Sequence, residues 1–193
     1  MNLEIPKAEP EKVVYRGRLH EIVEQEVMLD GKTKVFEIVR RPPGTRLIII
    51  TPENKLLLTR EYRREKGGWD YRLPGGKVFD SLAAFDEAKS AGSDIVASAE
   101  QGARKEAREE VGINPTEMRH LHTSTCGATI DWDLYYFLVT QYEQLTEGQS
   151  LEAGEQITTV EVTLKEAARM CMDGSIQEDR SVAVLLRYLG SLS

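Results

Sequence analysis

Lys105-Glu106-Ala107-Arg108-Glu109-Glu110-Val111-Gly112-Ile113 closes a helical stretch that opens near Asp94. In that stretch Val96, Ala99, Ala103, Ala107 and Val111 recur at spacings of three and four. They form one apolar stripe, which predicts a helix with that side turned to a core. Glu110 lies three residues from Ala107 and seven from Ala103, inside the stripe, and Glu106 sits at its edge, four residues earlier. Like charges one turn apart repel. Burying such a pair without compensation costs several kcal/mol per ion. A cation must therefore sit there, and an all-oxygen donor set suits Mg²⁺, Mn²⁺ or Ca²⁺. The competing reading is a solvated helix end, in which Glu106, Glu109 and Glu110 pair with Arg104, Lys105 and Arg108.

The rest of the chain sets the frame. It has 193 residues, 25 Lys and Arg against 32 Asp and Glu, a formal charge of −7 and 40% hydrophobic residues. That is ordinary globular usage, with length enough for a real core. The acidic balance argues against a nucleic-acid partner, which a basic face would have to hold. No apolar run is long enough for a membrane-spanning helix. Met1 to Val14 carries acids and no apolar stretch, so no export leader is expected. Cys126 and Cys171 then read as free thiols of a reducing, cytoplasmic compartment. His20, His120 and His122 lack the thiol partners of a zinc site.

Asp30-Gly31, between the alternating run Val13–Leu29 and Lys34–Val39, signals a β-hairpin. Leu47-Ile48-Ile49-Ile50 is a continuous apolar run, as in a strand covered on both faces. Lys55–Tyr62, Leu134–Thr140 and Ile157–Val162 are further predicted strands. Ser81 caps a short helix that ends before Gly92, and the helix from Asp94 stops at Gly112. Thr163-x-x-Glu166 is a capping box opening a helix to about Met172, and a last helix covers about Asp179 to Leu189. Strands and helices mix irregularly, so the expected class is α+β, a mixed β-sheet packed between helices.

Leu73-Pro74-Gly75-Gly76-Lys77, followed by Lys105 to Ile113, resembles the box of the Nudix hydrolase family. That pattern is a glycine, five residues, a glutamate, seven residues, then R-E-U-x-E-E-x-G-U, with U a bulky aliphatic. Glu106, Glu109, Glu110, Gly112 and Ile113 stand on matching positions. Lys105 replaces the arginine, and Ala107 is small for its aliphatic position. Gly76 and Lys105 are 29 residues apart rather than 14, so about 15 residues are inserted. Counting back puts Ala97 where the first glutamate belongs, with Glu87, Asp94 or Glu100 as candidate replacements. Thr59-Arg60-Glu61-Tyr62-Arg63, Trp69 and Leu73–Gly76 are similar to the ADP-ribose and nucleotide-sugar pyrophosphatase branch. Here Glu61 stands for that branch's glutamine and Arg72 for its glutamate.

The resemblance implies an α/β/α sandwich over residues 45–193, with an insertion at about 80–95. Residues 1–44 would form an arm and antiparallel β-hairpin lobe that makes a homodimer contact. It implies Mg²⁺- or Mn²⁺-dependent hydrolysis of a nucleoside diphosphate linked to a sugar, giving a nucleoside monophosphate and a sugar phosphate. Glu106, Glu109, Glu110 and the Gly75 carbonyl would hold the metal, with Lys105 and Gly76 orienting the box. Glu155 is the favoured general base, then Glu152, with Glu109 as the alternative. Arg63 is the first choice for a phosphate contact, because guanidinium matches phosphate oxygens in a two-pronged way. Arg41 and Arg40 follow it; Trp69 and Phe36 are candidate base-stacking rings, and Thr125–Asp133 is a candidate substrate loop. The missing first glutamate keeps a second function open, a nucleotide-sugar sensor that binds without cutting.

Overall fold

The computed structural model describes residues 7–64 and 67–192. In chain order the strands of the first half are β1 (Lys7–Ala8), β2 (Lys12–Arg16), β3 (Glu21–Leu29), β4 (Lys32–Arg40), β5 (Gly44–Ile50), β6 (Lys55–Arg63) and β7 (Gly68–Arg72). Helices α1 (Leu82–Ser90) and α2 (Ile95–Glu106) follow, and α2 runs into a π-helical turn, Ala107–Val111. Then come β8 (Ile113–Ser124), β9 (Ile130–Asp131), β10 (Leu134–Gln144), β11 (Ile157–Thr163), α3 (Leu164–Met172) and α4 (Asp179–Gly190).

The main sheet runs β11-β6-β5-β10-β8, with β7 beside β6. It is mixed: β10 lies parallel to β5 and antiparallel to β8. The run 47–50 explains the layering, because successive side chains of a strand face opposite ways. Ile48, Leu56, Leu58, Tyr136 and Leu138 pack on one side with Ala167 and Met170 of α3 and Val184 and Leu185 of α4. Leu47, Ile49, Leu57, Phe137 and Val139 pack on the other with Ala99, Ala103, Ala107 and Val111. Two cores on one sheet make the α/β/α sandwich.

The helical stripe is confirmed at four of its five positions. Val96 is exposed at 36%, and Ile95 packs toward the core instead. Asp94 caps α2, its side chain accepting from Val96 N and Ala97 N at 2.9 and 3.2 Å. Thr163 likewise accepts from Glu166 N at 3.1 Å to start α3.

The N-terminal sheet runs β1-β3-β4-β9, with β2 on β3. Asp30 and Gly31 turn it with φ of 50° and 74°, the two left-handed conformations a tight hairpin needs. The run Val13–Leu29, read as continuous from its alternation, is two strands broken around Gly17–His20. The segment carrying α1 fastens this sheet to the rest. Arg16 pairs with Asp86 of α1, Arg18 Nη1 donates to Asp80 O at 2.8 Å, and Leu82 N donates to Arg18 O at 2.9 Å. Leu82 is the one buried residue of α1, so this segment serves as a buttress.

Gly112 closes the π turn at φ 74°, and a Cβ there would stand 2.7 Å from the Gly148 carbonyl carbon. Both the backbone region and the close approach demand glycine. Gly112→Ala is expected to cost about 1–3 kcal/mol and lower the Tm by about 3–10 °C in a thermal melt.

Candidate active site

A cavity of about 400 Å³ opens where the β5, β6 and β7 strands meet the end of α2. Its floor is the Leu73–Gly76 loop lying against two glutamates. Gly75 N donates to Glu110 Oε2 at 2.8 Å. A Cβ on Gly76 would stand 2.1 Å from Glu106 Oε1, and one on Gly75 (φ 143°) would stand 2.2 Å from Thr45 O. The two glycines let the loop and the carboxylates meet, which no side chain at either position would permit.

Among the described residues, neither Glu106 nor Glu110 forms an ion pair. The solvated-helix reading holds for their neighbours only. Lys105 reaches Glu109 at 3.4 Å, Arg104 reaches Glu100 at 2.8 Å, and Arg108 donates to Asn114 at 2.7 Å. Burial pushes the Glu106 carboxyl up to about 7, helped by the charge of Glu109. Burial pushes Glu110 up to about 8; the Gly75 N–H holds it down in part and Glu106 adds to the rise. The π turn contributes here, because it widens the helix where Glu109 and Glu110 project, a distortion common at functional sites.

The same cavity is lined by Glu152, Glu155, Arg63, Arg41, Gly75 and Gly76 from the sequence-derived candidates. Glu152 N donates to Glu155 Oε2 at 3.0 Å, which fixes the two relative to each other on an exposed rim. Arg63 Nη1 donates to Glu61 Oε1 at 2.8 Å. Three candidates are placed elsewhere. Arg40 ends β4 among Glu11, Asp131 and Glu21, with bonds of 3.1, 2.8 and 3.5 Å, and these acids consume it. Trp69 stands on β7 against Tyr62 and under Arg60, outside the cavity, as is Phe36 on the distant hairpin. The candidate replacements for the first box glutamate are also elsewhere: Glu87 is exposed on α1, Asp94 caps α2 and Glu100 is held by Arg104.

Arg46 and Glu178 line the cavity and escape the sequence reading, which had named Arg72 only for its place in the motif and Trp132 only as part of the Thr125–Asp133 loop. Arg46, 8% exposed, donates from Nε and Nη2 to the two Glu178 carboxylate oxygens, each at 2.9 Å. Burial alone would raise Glu178, yet the hydrogen bond and charge of Arg46 hold it down to about 2. Arg72, bonded to Asp70 at 2.9 Å, is the third member, and Trp132 walls the side nearest Gly44. No local pattern marks Arg46 and Glu178, because they lie 132 positions apart.

The lining carries seven glutamates against four arginines and one lysine. An excess of carboxylates repels an anionic ligand, so a diphosphate binds here only with added positive charge. Three glutamates on one turn, two of them unpaired, offer the hard oxygen donors that a divalent ion favours. In the side-chain positions shown, no three acidic, Cys or His side chains among the described residues yet close around an ion.

The sequence profile described as "NUDIX domain" matches residues 40–181. The chain belongs to the NUDIX family. Nudix hydrolases generally use divalent metal ions, in keeping with this donor set. The Nudix chain is 24% identical over 180 residues to an ADP-ribose pyrophosphatase of Bacillus subtilis (strain 168), covering 91% of this chain and 88% of the relative. It is 27% identical over 162 residues to a GDP-mannose pyrophosphatase of Enterobacter sp. (strain 638), covering 79% and 76%. A solved structure titled as an ADP compounds hydrolase superposes with a TM-score of 0.74 at 19% identity, covering 100% of this chain and 98% of that one. That likeness shows the shared fold. The family and these relatives make the protein a Nudix pyrophosphatase-type hydrolase.

The raised glutamates set the pH dependence of the metal-free Nudix fold. A carboxyl with a higher pKa folded than unfolded takes up protons on folding, so stability falls as pH rises from the unfolded value through the folded one. With a chelator present, the wild type is expected to lose stability between pH 5 and 8.5 in urea titrations. Glu110→Gln, which keeps an acceptor for Gly75 N, is expected to lose less. Equal losses in both would show that Glu110 is not strained by its surroundings.

Proposed function

We propose that the protein hydrolyses the diphosphate of a nucleoside diphosphate linked to a sugar. The products are a nucleoside monophosphate and a sugar phosphate; from ADP-ribose they are AMP and ribose 5-phosphate. The observation that carries this reading is the unpaired Glu106 and Glu110 held on Gly75-Gly76 in an arginine-bearing cavity. The ADP-ribose and GDP-mannose named in two relatives support a nucleotide sugar as the substrate class.

Glu106, Glu109 and Glu110, with the Gly75 carbonyl, would hold Mg²⁺ or Mn²⁺. Such an ion, when bound, neutralises phosphate charge and supplies a more acidic water. Lys105 orients Glu109 through their ion pair. Arg63 hydrogen-bonds phosphate oxygens of the diphosphate. Glu155 takes the proton of the attacking water at its carboxylate, oriented by the Glu152 N–H; Glu152 and then Glu109 are the alternatives.

Residues 1–44 are inferred to be a separate lobe that pairs two copies, while 45–193 carry the chemistry. The hairpin supports this: Val13, Tyr15, Met28, Val35 and Phe36 are exposed by 43 to 57%. Val35 and Phe36 are adjacent on β4, so their side chains leave opposite faces bare. Cys126 and Cys171 are free, in keeping with a reducing cytoplasmic setting, and no helix among the described residues is long and apolar enough to cross a membrane.

Incubation with ADP-ribose and GDP-mannose in Mg²⁺ or Mn²⁺ is expected to release monophosphate, read by chromatography. Glu110→Gln should lower kcat by about 100-fold or more, and Glu155→Gln by a comparable factor at neutral pH. No turnover with either substrate, or full activity in Glu110→Gln, would refute the reading. Val35→Asp with Phe36→Asp is expected to halve the mass seen in sedimentation.

A further inference from the structure

Four arginines line the cavity, and the fold gives an acid to three of them. Arg63 is paired with Glu61, Arg72 with Asp70 and Arg46 with Glu178, while Arg41 has no ion pair among the described residues. The Arg46 pair is the one that bears on the two buried glutamates. Arg46 stands on β5 between Thr45 and Leu47, whose N–H groups donate to Gly76 O and Pro74 O at 2.9 and 2.8 Å. The glycine loop therefore lies along β5 at this residue. A Cβ on Gly75 would stand 2.9 Å from Arg46 Cα, and Gly75 N donates to Glu110. Gly75 thus stands between Arg46 and Glu110, and the charge of Arg46 acts on both Glu106 and Glu110.

A guanidinium this close to an unpaired carboxylate is drawn to it, yet Arg46 is turned the other way. Its Nε and Nη2 hold the two oxygens of Glu178, and its Nη1 donates to Thr45 O at 3.0 Å. Glu178 is itself fixed. Ser181 Oγ donates to its Oε2, Tyr136 OH lies 3.3 Å from that hydroxyl, and Arg72 Nη1 is 3.8 Å from its Oε1. Glu178 is also the N-cap residue of α4, where an acidic side chain ordinarily accepts N–H groups of its own helix. Its side chain accepts none of them and is given to Arg46 instead. Stability is a weak reason for such a pair, because a buried ion pair often adds little over apolar residues of the same volume.

We infer that Glu178 is a positioning residue: it holds the Arg46 guanidinium toward α4, off Glu110, and so keeps Glu110 open to a divalent ion. The inference rests on the metal site of the proposed hydrolase, but metal binding and structure test it without turnover. Removing the Glu178 charge leaves Arg46 buried and uncompensated, a costly state. Glu110, across Gly75, is then the unpaired acid that relieves it. An ion pair formed there must break before a metal binds, so the apparent affinity falls by the fraction of molecules in which Glu110 is free.

Mn²⁺ is titrated into the metal-free protein, and the free ion is read by electron paramagnetic resonance. Glu178→Gln, which keeps an acceptor for Ser181, is expected to weaken Mn²⁺ binding by about tenfold or more, as when Arg46 rests on Glu110 in about nine molecules of ten. Adding Arg46→Met to Glu178→Gln removes the competing cation and should bring the affinity back to within about threefold of the wild type. Arg46→Lys keeps the charge without the two-pronged grip and should weaken binding by about threefold or more. It decides the matter if Glu178→Gln does not fold. Circular dichroism and the melting temperature establish that each variant is folded. A crystal of Glu178→Gln grown with a chelator is expected to show the Arg46 guanidinium paired with Glu110.

Wild-type affinity in folded Glu178→Gln overturns the restraint, and so does Arg46 still held at position 178 in that crystal. A double variant as weak as the single one overturns it too, because the defect would then be structural and not a competing charge. Where Glu178→Gln does not fold, wild-type affinity in Arg46→Lys has the same force. If nucleotide sugars are cleaved and folded Glu178→Gln binds Mn²⁺ as the wild type does, the restraint fails and the hydrolase reading stands. If the wild type binds no Mn²⁺ and cleaves no nucleotide sugar while Arg46 moves onto Glu110 in the Glu178→Gln crystal, the hydrolase reading fails and the restraint stands.

Discussion

Two carboxylates are held against a glycine loop with no ion pair to either among the described residues, and the architecture of the site depends on that placement. Glu106 abuts Gly76, and Glu110 accepts the Gly75 N–H. Each acid is pushed toward neutrality by its surroundings. A fold selected for stability alone would pair them or replace them, because burial of an unpaired charge is among the larger penalties a protein can carry. Their retention next to an arginine-bearing cavity marks a place where stability yields to chemistry.

The supporting structure follows from the need to keep that arrangement rigid. The alanines of α2 allow the helix to lie close on the sheet, so the carboxylates at its end are set by backbone packing. The π turn and Gly112 then stop the helix where Glu110 faces Gly75. From the opposite side, α4 places Glu178 beneath Arg46, a bidentate pair that puts one positive side chain near Glu110 without cancelling it. The segment carrying α1 contributes no carboxylate to the cavity. Its polar ties to Arg16 and Arg18 anchor the N-terminal sheet.

Much of this was legible in the residue order. The 47–50 run, the Asp30-Gly31 turn, the Thr163 cap and the glycine stop at 112 are local signals, each decided by neighbours within a few positions, and each appears in the structure. The placement of Glu106 and Glu110 was legible because their spacing is helical, and the box because it resembles the family's pattern. Less was legible where strands read poorly: β8 is twelve residues long but carries Asn114, Pro115, Arg119 and His120, and as the edge of the sheet it tolerates them. β7 sits among turn residues and is a strand only because β6 pairs with it. The sequence order offered Arg40 and Trp69 for the cavity by their proximity to the matching motifs. Glu11, Asp131 and Glu21 claim the first, and the outward face of β7 carries the second away.

By itself the amino-acid order indicated a mixed sheet with packed helices, the helix that bears the acids and the charge repulsion between them. These are consequences of periodicity, capping and charge, which act over a turn or a strand. Only the tertiary structure decided which arginines are spent and which one is spare, that Trp132 rather than Trp69 borders the cavity, and that Glu178 belongs to it. Those facts depend on pairs up to 132 positions apart, and charge compensation is a property of distance in space, on which spacing along the chain is silent.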